Sequence, residues 1–158
     1  MRYGEQVDEL DHILLAALRE DATQSYAALG KLAGLSAGAA HERVRKLRER
    51  GVIRRTTIDV DPVAVGRPVL AFVLVESGAW MGEEPVHAAL REIPELEEAH
   101  VVAGSASLLV KIRTGTTEQL QDVLRRLFAI DGVRGTQTIV VLETVFEGAG
   151  GPPAPSPG

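Results

Sequence analysis

The fold is decided by residues 34–53, which read Gly34-Leu35-Ser36-Ala37-Gly38-Ala39-Ala40-His41-Glu42-Arg43-Val44-Arg45-Lys46-Leu47-Arg48-Glu49-Arg50-Gly51-Val52-Ile53. This stretch predicts a tight turn, a short basic helix and the start of a strand. Two helix-like segments precede it. That order is the layout of a winged helix-turn-helix, in which the last helix enters the major groove of DNA.

Residues 41–55 form a local basic cluster in an acidic chain. The 158 residues carry a formal net charge of −5, yet this segment holds seven Arg or Lys against two Glu. Affinity for phosphate follows the local field and not the charge of the whole chain. The alternative is a solvated helix face laced with ion pairs, and the small number of acids in the segment weighs against it.

Two helices are predicted before the turn. The first covers about residues 9–19, with Asp8 as its N-cap. Its apolar stripe comprises Leu10, Ile13, Leu14, Ala17 and Leu18. The second begins after Ser25 and ends at Gly34, which permits the tight turn. The side chains that it is expected to bury are Leu29 and Leu32.

The third helix, capped by Ser36 and closed by Gly51, has two different faces. Its buried face is predicted to hold Ala40, Val44 and Leu47. The candidates for contact with base edges lie on the flank away from that face. They are Gly38, His41, Glu42 and Arg45. Because Ala37 and Gly38 carry little side-chain bulk, the helix start can approach the groove and point its N–H groups at phosphate. Arg45 is expected to donate to a guanine, and His41 to an acceptor.

Other basic residues of the region are candidates for phosphate contacts. Arg43 either contacts phosphate or pairs with an acid on a neighbouring helix, and the sequence leaves both open. Residues 52–60 read as a strand pair, the wing, from which Arg54 and Arg55 project toward phosphate or solvent. DNA shape is expected to supply much of the selectivity. The predicted DNA-binding set is Ser36, Ala37, Gly38, His41, Arg43, Arg45, Lys46 and Arg54.

The second half of the chain alternates strand-like and helix-like segments. Strands are predicted over 69–76, 99–103, 108–113 and 136–147, and helices over about 86–93 and 120–128. The order strand, helix, strand, strand, helix, strand is the ferredoxin-like arrangement, so the whole chain is of the α+β class. Such a sheet has one face covered by helices. The other face must be buried elsewhere, most simply on a second copy of the chain.

These patterns divide the chain into four segments. A winged helix-turn-helix domain is expected over 1–60 and a linker over 61–68, where Asp61-Pro62 and Gly66-Arg67-Pro68 interrupt the pattern. The ferredoxin-like domain is expected over 69–147. Residues 148–158, rich in Gly and Pro, are expected to be a disordered tail.

Composition argues against several classes of protein. The chain has no Cys, which excludes disulfides and thiolate metal sites. No apolar run approaches the roughly 20 residues of a membrane span, and no signal-peptide pattern is present, so we expect a soluble cytoplasmic protein. The four His have no metal-ligand spacing, and neither a nucleophile elbow nor a phosphate loop is found. No cofactor, metal or enzymatic activity is therefore predicted.

Taken in order, the motifs resemble the Lrp/AsnC family of transcriptional regulators, also called feast/famine regulators. The opening of the chain, residues 7–14, resembles the family's Leu-Asp-x-x-Asp-x-x-Ile-Leu. Gly34-Leu35-Ser36, then Arg43-Val44, then Gly51-Val52-Ile53 resemble its helix-turn-helix series, and Asp61-Pro62 and Gly66 resemble its linker. Residues 133–142 resemble its closing Val-x-x-Thr-x-Thr-x-Ile-Val-Leu. Each motif is weak alone, but the ordered set over about residues 7–147 is specific.

The resemblance implies a DNA-binding domain joined to an effector-sensing domain that pairs into dimers and assembles into tetramers or octamers. It implies double-stranded DNA as a partner, and an amino acid or related small molecule bound between dimers. The family's effector loop reads Gly-x-x-Asp, whereas this chain has Ser107 in place of the Asp. The missing carboxylate weakens the case for an α-amino acid ligand. The candidate effector pocket comprises Val102, Ala103, Gly104, Ser105, Ala106, Ser107, Thr136 and Thr138, and a plain hairpin turn is the alternative.

The function expected from these observations is sequence-specific regulation of transcription, tuned by a small effector. One alternative is an enzyme, since the siroheme decarboxylases resemble this family with tetrapyrrole chemistry in place of DNA binding. The basic helix argues against an enzyme. The other alternative is an architectural protein that coats DNA loosely.

Overall fold

The computed structural model describes residues 7–147, and the chain divides into two compact units. Among the described residues, the first unit comprises 7–59 and 146–147, and the second comprises 60–145. The tail predicted over 148–158 lies outside the described residues, so its disorder stays a prediction. Over 7–147, no helix is both long enough and apolar enough to cross a membrane.

Three short helices build the first unit. They are α1 (Glu9–Glu20), α2 (Tyr26–Ala33) and α3 (Ala37–Glu49). All three predicted N-caps are confirmed, because the side chains of Asp8, Ser25 and Ser36 each accept a hydrogen bond from the backbone N–H three residues later.

The apolar faces of these helices meet in one small core. It comprises Leu14, Leu29, Ala33, Ala40 and Val44. The predicted buried face of α3 is confirmed, since Leu47 is also buried. The prediction for Leu32 is wrong, because this side chain is 58% exposed. The short helix α2 turns Leu29, Gly30 and Ala33 inward instead.

The turn between α2 and α3 is closely packed around Gly30. The N–H of Leu35 donates to the Gly30 carbonyl at 2.7 Å. A Cβ on Gly30 would lie only 2.5 Å from the Leu35 carbonyl oxygen, so no side chain fits there without movement. Gly34 makes the turn itself in the left-handed conformation, with φ at 69°.

The segment that follows α3, residues 51–60, contains no strand. The strand pair predicted over 52–60 is therefore wrong, and the first strand within residues 7–147 begins only at Val69. The N–H groups of Val52 and Ile53 both donate to the Leu47 carbonyl, at 2.9 and 3.1 Å. The start of the segment thus completes the end of α3 and forms no ladder with a partner strand.

The second unit is a four-stranded antiparallel sheet with two helices. Its elements are β1 (Val69–Ser77), α4 (Glu84–Arg91), β2 (Leu96–Val101), β3 (Leu108–Thr114), α5 (Thr117–Phe128) and β4 (Val133–Val140). The strand order is β2-β3-β1-β4, with every neighbouring pair antiparallel. The ferredoxin-like arrangement predicted from the sequence is confirmed.

Two strands have bounds that differ from those predicted. The strand expected over 99–103 is β2, which spans Leu96–Val101 and leaves Val102 and Ala103 to the loop that follows. The strand expected over 136–147 is β4, which begins at Val133 and ends at Val140. Val140 lies opposite Ala71, near the start of β1, and the N–H of Val141 still donates to the Leu70 carbonyl at 2.9 Å.

Only one of the two faces of the sheet is covered by helices of the second unit. One face packs on the helices, and its core includes Ala71, Val73, Val75, Leu108, Val110, Ile112, Val123 and Leu127. By the strand registers, the alternate positions Phe72, Leu74, Leu109 and Ile139 share the opposite face. Phe72, Leu74 and Leu109 are only half-buried, and Ile139 is 50% exposed. Within the second unit, this apolar face carries no helix.

Candidate DNA-binding and effector sites

The start of α3 is unobstructed. Ser36 caps the helix by accepting a hydrogen bond from the N–H of Ala39 at 3.1 Å. Ala37 and Gly38 are exposed, and a Cβ added to Gly38 would meet nothing within 4 Å in this structure. The first turn of α3 therefore offers backbone N–H groups and the positive end of a helix dipole, which is a general site for phosphate.

The predicted reading flank of α3 is accessible, and His41 is ordered against α2. Its ring meets the ring of Tyr26 edge-on, with centroids 4.6 Å apart and planes at 82°. Lys46 is also exposed, with its Nζ 4.0 Å from Glu42. The sequence analysis did not predict the contact between His41 and Tyr26. The two residues are fifteen positions apart and lie on different helices, so helical spacing does not reveal the contact.

Arg45 lies between two carboxylates of its own helix. Its Nε and Nη2 donate to the two oxygens of Glu42, at 2.9 and 2.6 Å, and its Nη1 contacts Glu49. The hydrogen bond from Arg45 lowers the pKa of Glu42 below its ordinary value. The hydrogen bond to Glu42 in turn raises the pKa of Arg45, so both groups are charged near neutral pH. The pairing of Glu49 with Arg45 was not predicted from the sequence. The signal for it is their spacing of four residues, which places both side chains on the same face of the helix.

Arg43 takes the second of the two roles that the sequence left open. Its Nη1 donates to Asp8 at 2.7 Å and to Asp11 at 2.9 Å, which joins α3 to α1. The side chain of Asp11 is only 7% exposed, against 32% for that of Arg43. The structure therefore favours a structural ion pair for Arg43 over a phosphate contact.

Two further cations lie beyond the end of α3. Arg54 and Arg55 are both exposed, and neither forms an ion pair with another residue of the described range 7–147. No strand orients them, since residues 52–60 lack the predicted wing. They add positive charge to the exposed surface that follows α3.

The predicted effector loop lies at one end of the sheet. The N–H of Val102 donates to the Ser107 carbonyl at 3.1 Å, and the N–H of Ser107 donates to the Val75 carbonyl at 2.9 Å. Gly104 has a φ of 139°, and Ala106 is buried. The loop makes a hairpin turn between β2 and β3, and it is anchored to the end of β1.

The structure brings Thr136 to the same end of the sheet as this loop. Thr136 lies opposite Val75 on β4, while Ser107 is bonded to Val75 from the other side, so both flank the end of β1. Thr138 lies one pleat farther along, opposite Val73. Ala103, Gly104 and Ser105 are exposed.

Three grooves of the second unit are lined by residues outside this loop. A groove of about 460 Å³ runs between α4 and β2, and a second of about 640 Å³ lies beside α4 and α5. The second is bordered by Trp80, which is 67% exposed. A third lies near Arg67 and Arg126. None of the eight predicted effector residues lines any of these three grooves.

Comparison with known proteins identifies the same two parts of the chain. Residues 7–48 match the family model of the AsnC-type helix-turn-helix domain, and residues 70–150 match that of the Lrp/AsnC ligand binding domain. The HTH-type transcriptional regulator FL11 of Pyrococcus horikoshii is 39% identical over 138 residues, which cover 87% of this chain and 91% of that protein.

Solved structures agree with these matches. The structure of Escherichia coli AsnC has a TM-score of 0.82 at 30% identity, covering 90% of this chain and 97% of the other. The feast or famine regulatory protein of Mycobacterium tuberculosis, complexed with L-methionine, also has a TM-score of 0.82 at 32% identity, covering 90% and 96%. The chain therefore belongs to the Lrp/AsnC family, and it is a DNA-binding transcriptional regulator in which a helix-turn-helix domain is joined to a ligand-binding domain of the ferredoxin-like kind.

Proposed function

We propose that α3 reads operator DNA in the major groove, with Gly38, His41 and Arg45 facing the base edges. The observation that carries this proposal is the division of α3 into two faces. Ala40, Val44 and Leu47 are buried, while the opposite flank is exposed and its N-terminal turn is free of side-chain bulk. An α-helix presented in this way fits the width of the major groove.

Phosphate contacts come from the residues around that flank. The N-terminal turn, with Ser36 and Ala37, offers N–H groups to one phosphate. Lys46 and Arg54 are exposed cations that lie before and after the end of α3. Arg43 is left out of this set because Asp8 and Asp11 already match its charge. These contacts fix the orientation of the protein, and the base contacts supply specificity.

The effector in this proposal is an amino acid or a related metabolite. The complex of the M. tuberculosis relative with L-methionine supports that class. Ser107 and Thr136 offer hydroxyl groups at the end of the sheet, where they flank Val75. Because none of the predicted effector residues lines the three grooves described above, the proposal takes the remaining wall of the pocket from a second copy of the chain.

Assembly is proposed to begin with a dimer formed through the helix-free face of the sheet. Phe72, Leu74, Leu109 and Ile139 form an apolar patch there, which also holds Lys111 and Gln137, and an exposed apolar patch favours association. Dimers then assemble into tetramers or octamers, and the effector binds between them. The regulator acts in the cytoplasm with the chromosome, and no enzymatic step is part of the proposal.

Effector and DNA are thermodynamically coupled in this scheme. If the effector changes the assembly and thereby the affinity for DNA, DNA must change the affinity for the effector by the same factor. This reciprocity separates an effector-tuned regulator from a protein that merely coats DNA.

The test is fluorescence anisotropy on the DNA upstream of the protein's own gene, with a scrambled duplex titrated beside it over a salt series. We expect a preference for the native fragment that survives physiological salt. Arg45→Ala should remove most of that preference. The matched control is Arg125→Ala, which removes an exposed Arg paired with Asp122 on α5. Equal and salt-sensitive binding to both duplexes would instead favour an architectural role, and no binding at any salt would favour the enzyme alternative.

A further inference from the structure

The guanidinium of Arg45 is held in a defined orientation by its two carboxylate partners. Arginine has five N–H donors, one on Nε and two on each terminal nitrogen. Glu42 takes the Nε donor and one donor of Nη2, and Glu49 contacts Nη1. Two donors are left, one on Nη1 and one on Nη2.

We propose that Glu42 and Glu49 are positioning residues that hold Arg45 ready to donate these two N–H groups to O6 and N7 of one guanine. The inference rests on the proposed reading of DNA by α3. A bidentate contact from Arg to these two acceptors is the commonest specific contact in the major groove. A guanidinium whose fork is already fixed loses less conformational freedom when it binds.

The carboxylates of Glu42 and Glu49 also oppose contact between Arg45 and the DNA phosphates. Two negative charges beside one guanidinium give the cluster of Glu42, Arg45 and Glu49 a net charge of −1, which Lys46, with its Nζ 4.0 Å from Glu42, offsets only at the Glu42 end. A phosphate placed against this cluster is repelled by the carboxylates, whereas a guanine edge, which is neutral, is not. The cluster therefore penalises non-specific contacts and favours a base contact. Phosphate affinity is supplied by other cations, Arg54 among them.

A role in folding predicts a different result. All three side chains are about half exposed, at 45% for Arg45, 47% for Glu42 and 58% for Glu49. Exposed ion pairs within one helix contribute little to stability. Loss of either carboxylate is thus expected to leave the melting temperature unchanged, so that its effect is confined to DNA recognition.

The experiment begins with selection of a preferred duplex from a random library by the full-length protein. Each guanine of that duplex is then replaced by 7-deazaguanine, which lacks the N7 acceptor but still pairs with cytosine. We expect one guanine at which the replacement weakens the wild-type protein about tenfold. Arg45→Ala should bind the normal and the replaced duplex equally, because it has lost the donor.

Glu42→Gln and Glu49→Gln keep the side-chain size and remove the charge. At the same guanine, we expect both variants to lose most of the tenfold discrimination and to bind a scrambled duplex several-fold more tightly than wild type. The matched control is Glu84→Gln, which removes a carboxylate paired with Arg91 at 2.6 Å on α4. It carries the same change of net charge and should behave as wild type in both measurements.

Three outcomes would overturn the inference. If Glu42→Gln and Glu49→Gln match Glu84→Gln in both measurements, the carboxylates are ordinary surface ion pairs. If Arg45→Ala keeps the sensitivity to N7, Arg45 is not the reader of that guanine, although the proposed function stands. If the wild-type protein selects no preferred duplex, the proposed function and the inference fail together.

Discussion

Arg43 on α3 donates to the carboxylate of Asp11 on α1, with 2.9 Å between Nη1 and Oδ1. The same nitrogen donates to Asp8 at 2.7 Å. Asp11 is only 5% exposed, and its own N–H donates to Asp8 at 2.8 Å, which closes the capping box of α1. One guanidinium therefore ties the first turn of α1 to the middle of α3, and its charge is matched where it lies.

The first prediction concerns the stability that this contact provides. Arg43→Ala should lower the free energy of unfolding by about 1–3 kcal/mol, because it leaves the buried carboxylate of Asp11 without its cation. Urea unfolding followed by circular dichroism measures the change. The matched control is Arg48→Ala, an exposed Arg on the same helix, which should cost less. A phosphate role would instead leave stability unchanged and reduce the slope of log affinity against log salt by about 0.9.

Acid should weaken the same region. The hydrogen bond from the Asp11 N–H, aided by that from Arg43, lowers the pKa of Asp8 below its ordinary value of 3.8. The unfolded chain therefore binds this proton more readily than the folded chain does. The stability contributed by the Asp8 carboxylate is present well above pH 3.8 and is lost as the pH falls below that value.

Asp8→Asn tests the acid effect, since it keeps a capping oxygen and cannot titrate. Its melting temperature should fall less steeply than that of wild type as the pH is lowered from 5 to 3. Glu9→Gln, an acid-to-amide change in the same turn, should keep the wild-type slope. Equal slopes for wild type and Asp8→Asn would contradict the assignment.

Local patterns in the sequence were sufficient to predict the fold. Each of the first three helices starts after a Ser or Asp whose side chain accepts from a nearby N–H. The central strands β1 and β3 are rich in apolar residues, as buried strands are. The prediction of a wing was wrong because the β-branched residues in 52–60 favour only an extended backbone. A β-strand also needs a partner strand to pair with, and local sequence does not show whether one is present. Leu32 was wrong because an eight-residue helix offers only a narrow buried stripe, which Leu29 and Ala33 already fill.

The sites were less predictable than the fold. Sequence spacing identified the flank of α3 that holds Arg45, because helical periodicity fixes which residues share a face. It did not reveal that Arg43 pairs with Asp11, a contact between residues 32 positions apart. The effector pocket was carried over by resemblance, and none of its residues lines the three grooves described in the second unit.

Two glycines of the helix-turn-helix should respond oppositely to the same change. Gly30→Ala places a methyl group 2.5 Å from the Leu35 carbonyl oxygen, and should destabilise the domain by about 1–3 kcal/mol. Gly38→Ala meets nothing within 4 Å, and should stabilise α3 by up to about 1 kcal/mol. Thermal unfolding measures both. Loss of stability in Gly38→Ala would contradict the open space described at the start of α3.

The same Gly38→Ala protein also tests the proposed docking of α3. If the start of the helix approaches the groove closely, the added methyl group should weaken specific DNA binding even though the protein is at least as stable as wild type. Anisotropy on the preferred duplex measures this, and unchanged affinity would show that DNA does not approach residue 38.

Arg54 is expected to add affinity without specificity. Arg54→Ala should weaken binding to preferred and scrambled duplexes by the same factor, and reduce the salt slope by about 0.9 for the lost phosphate contact. The control is Arg91→Ala on α4, which removes an exposed cation from the ligand-binding domain. A salt slope equal to that of the control would remove Arg54 from the phosphate set.

Ser107 should limit the affinity of the protein for amino acids. The effector motif that this loop resembles carries an Asp at that position, and a carboxylate there would accept a charge-assisted hydrogen bond from an ammonium group. Ser107→Asp is therefore expected to tighten binding of L-methionine about tenfold or more in isothermal titration calorimetry. Ser105→Asp, which adds the same charge to an exposed residue of the same loop, should bind as wild type does. If both variants bind equally, position 107 does not face the ligand, and the loop is only the hairpin turn that joins β2 to β3.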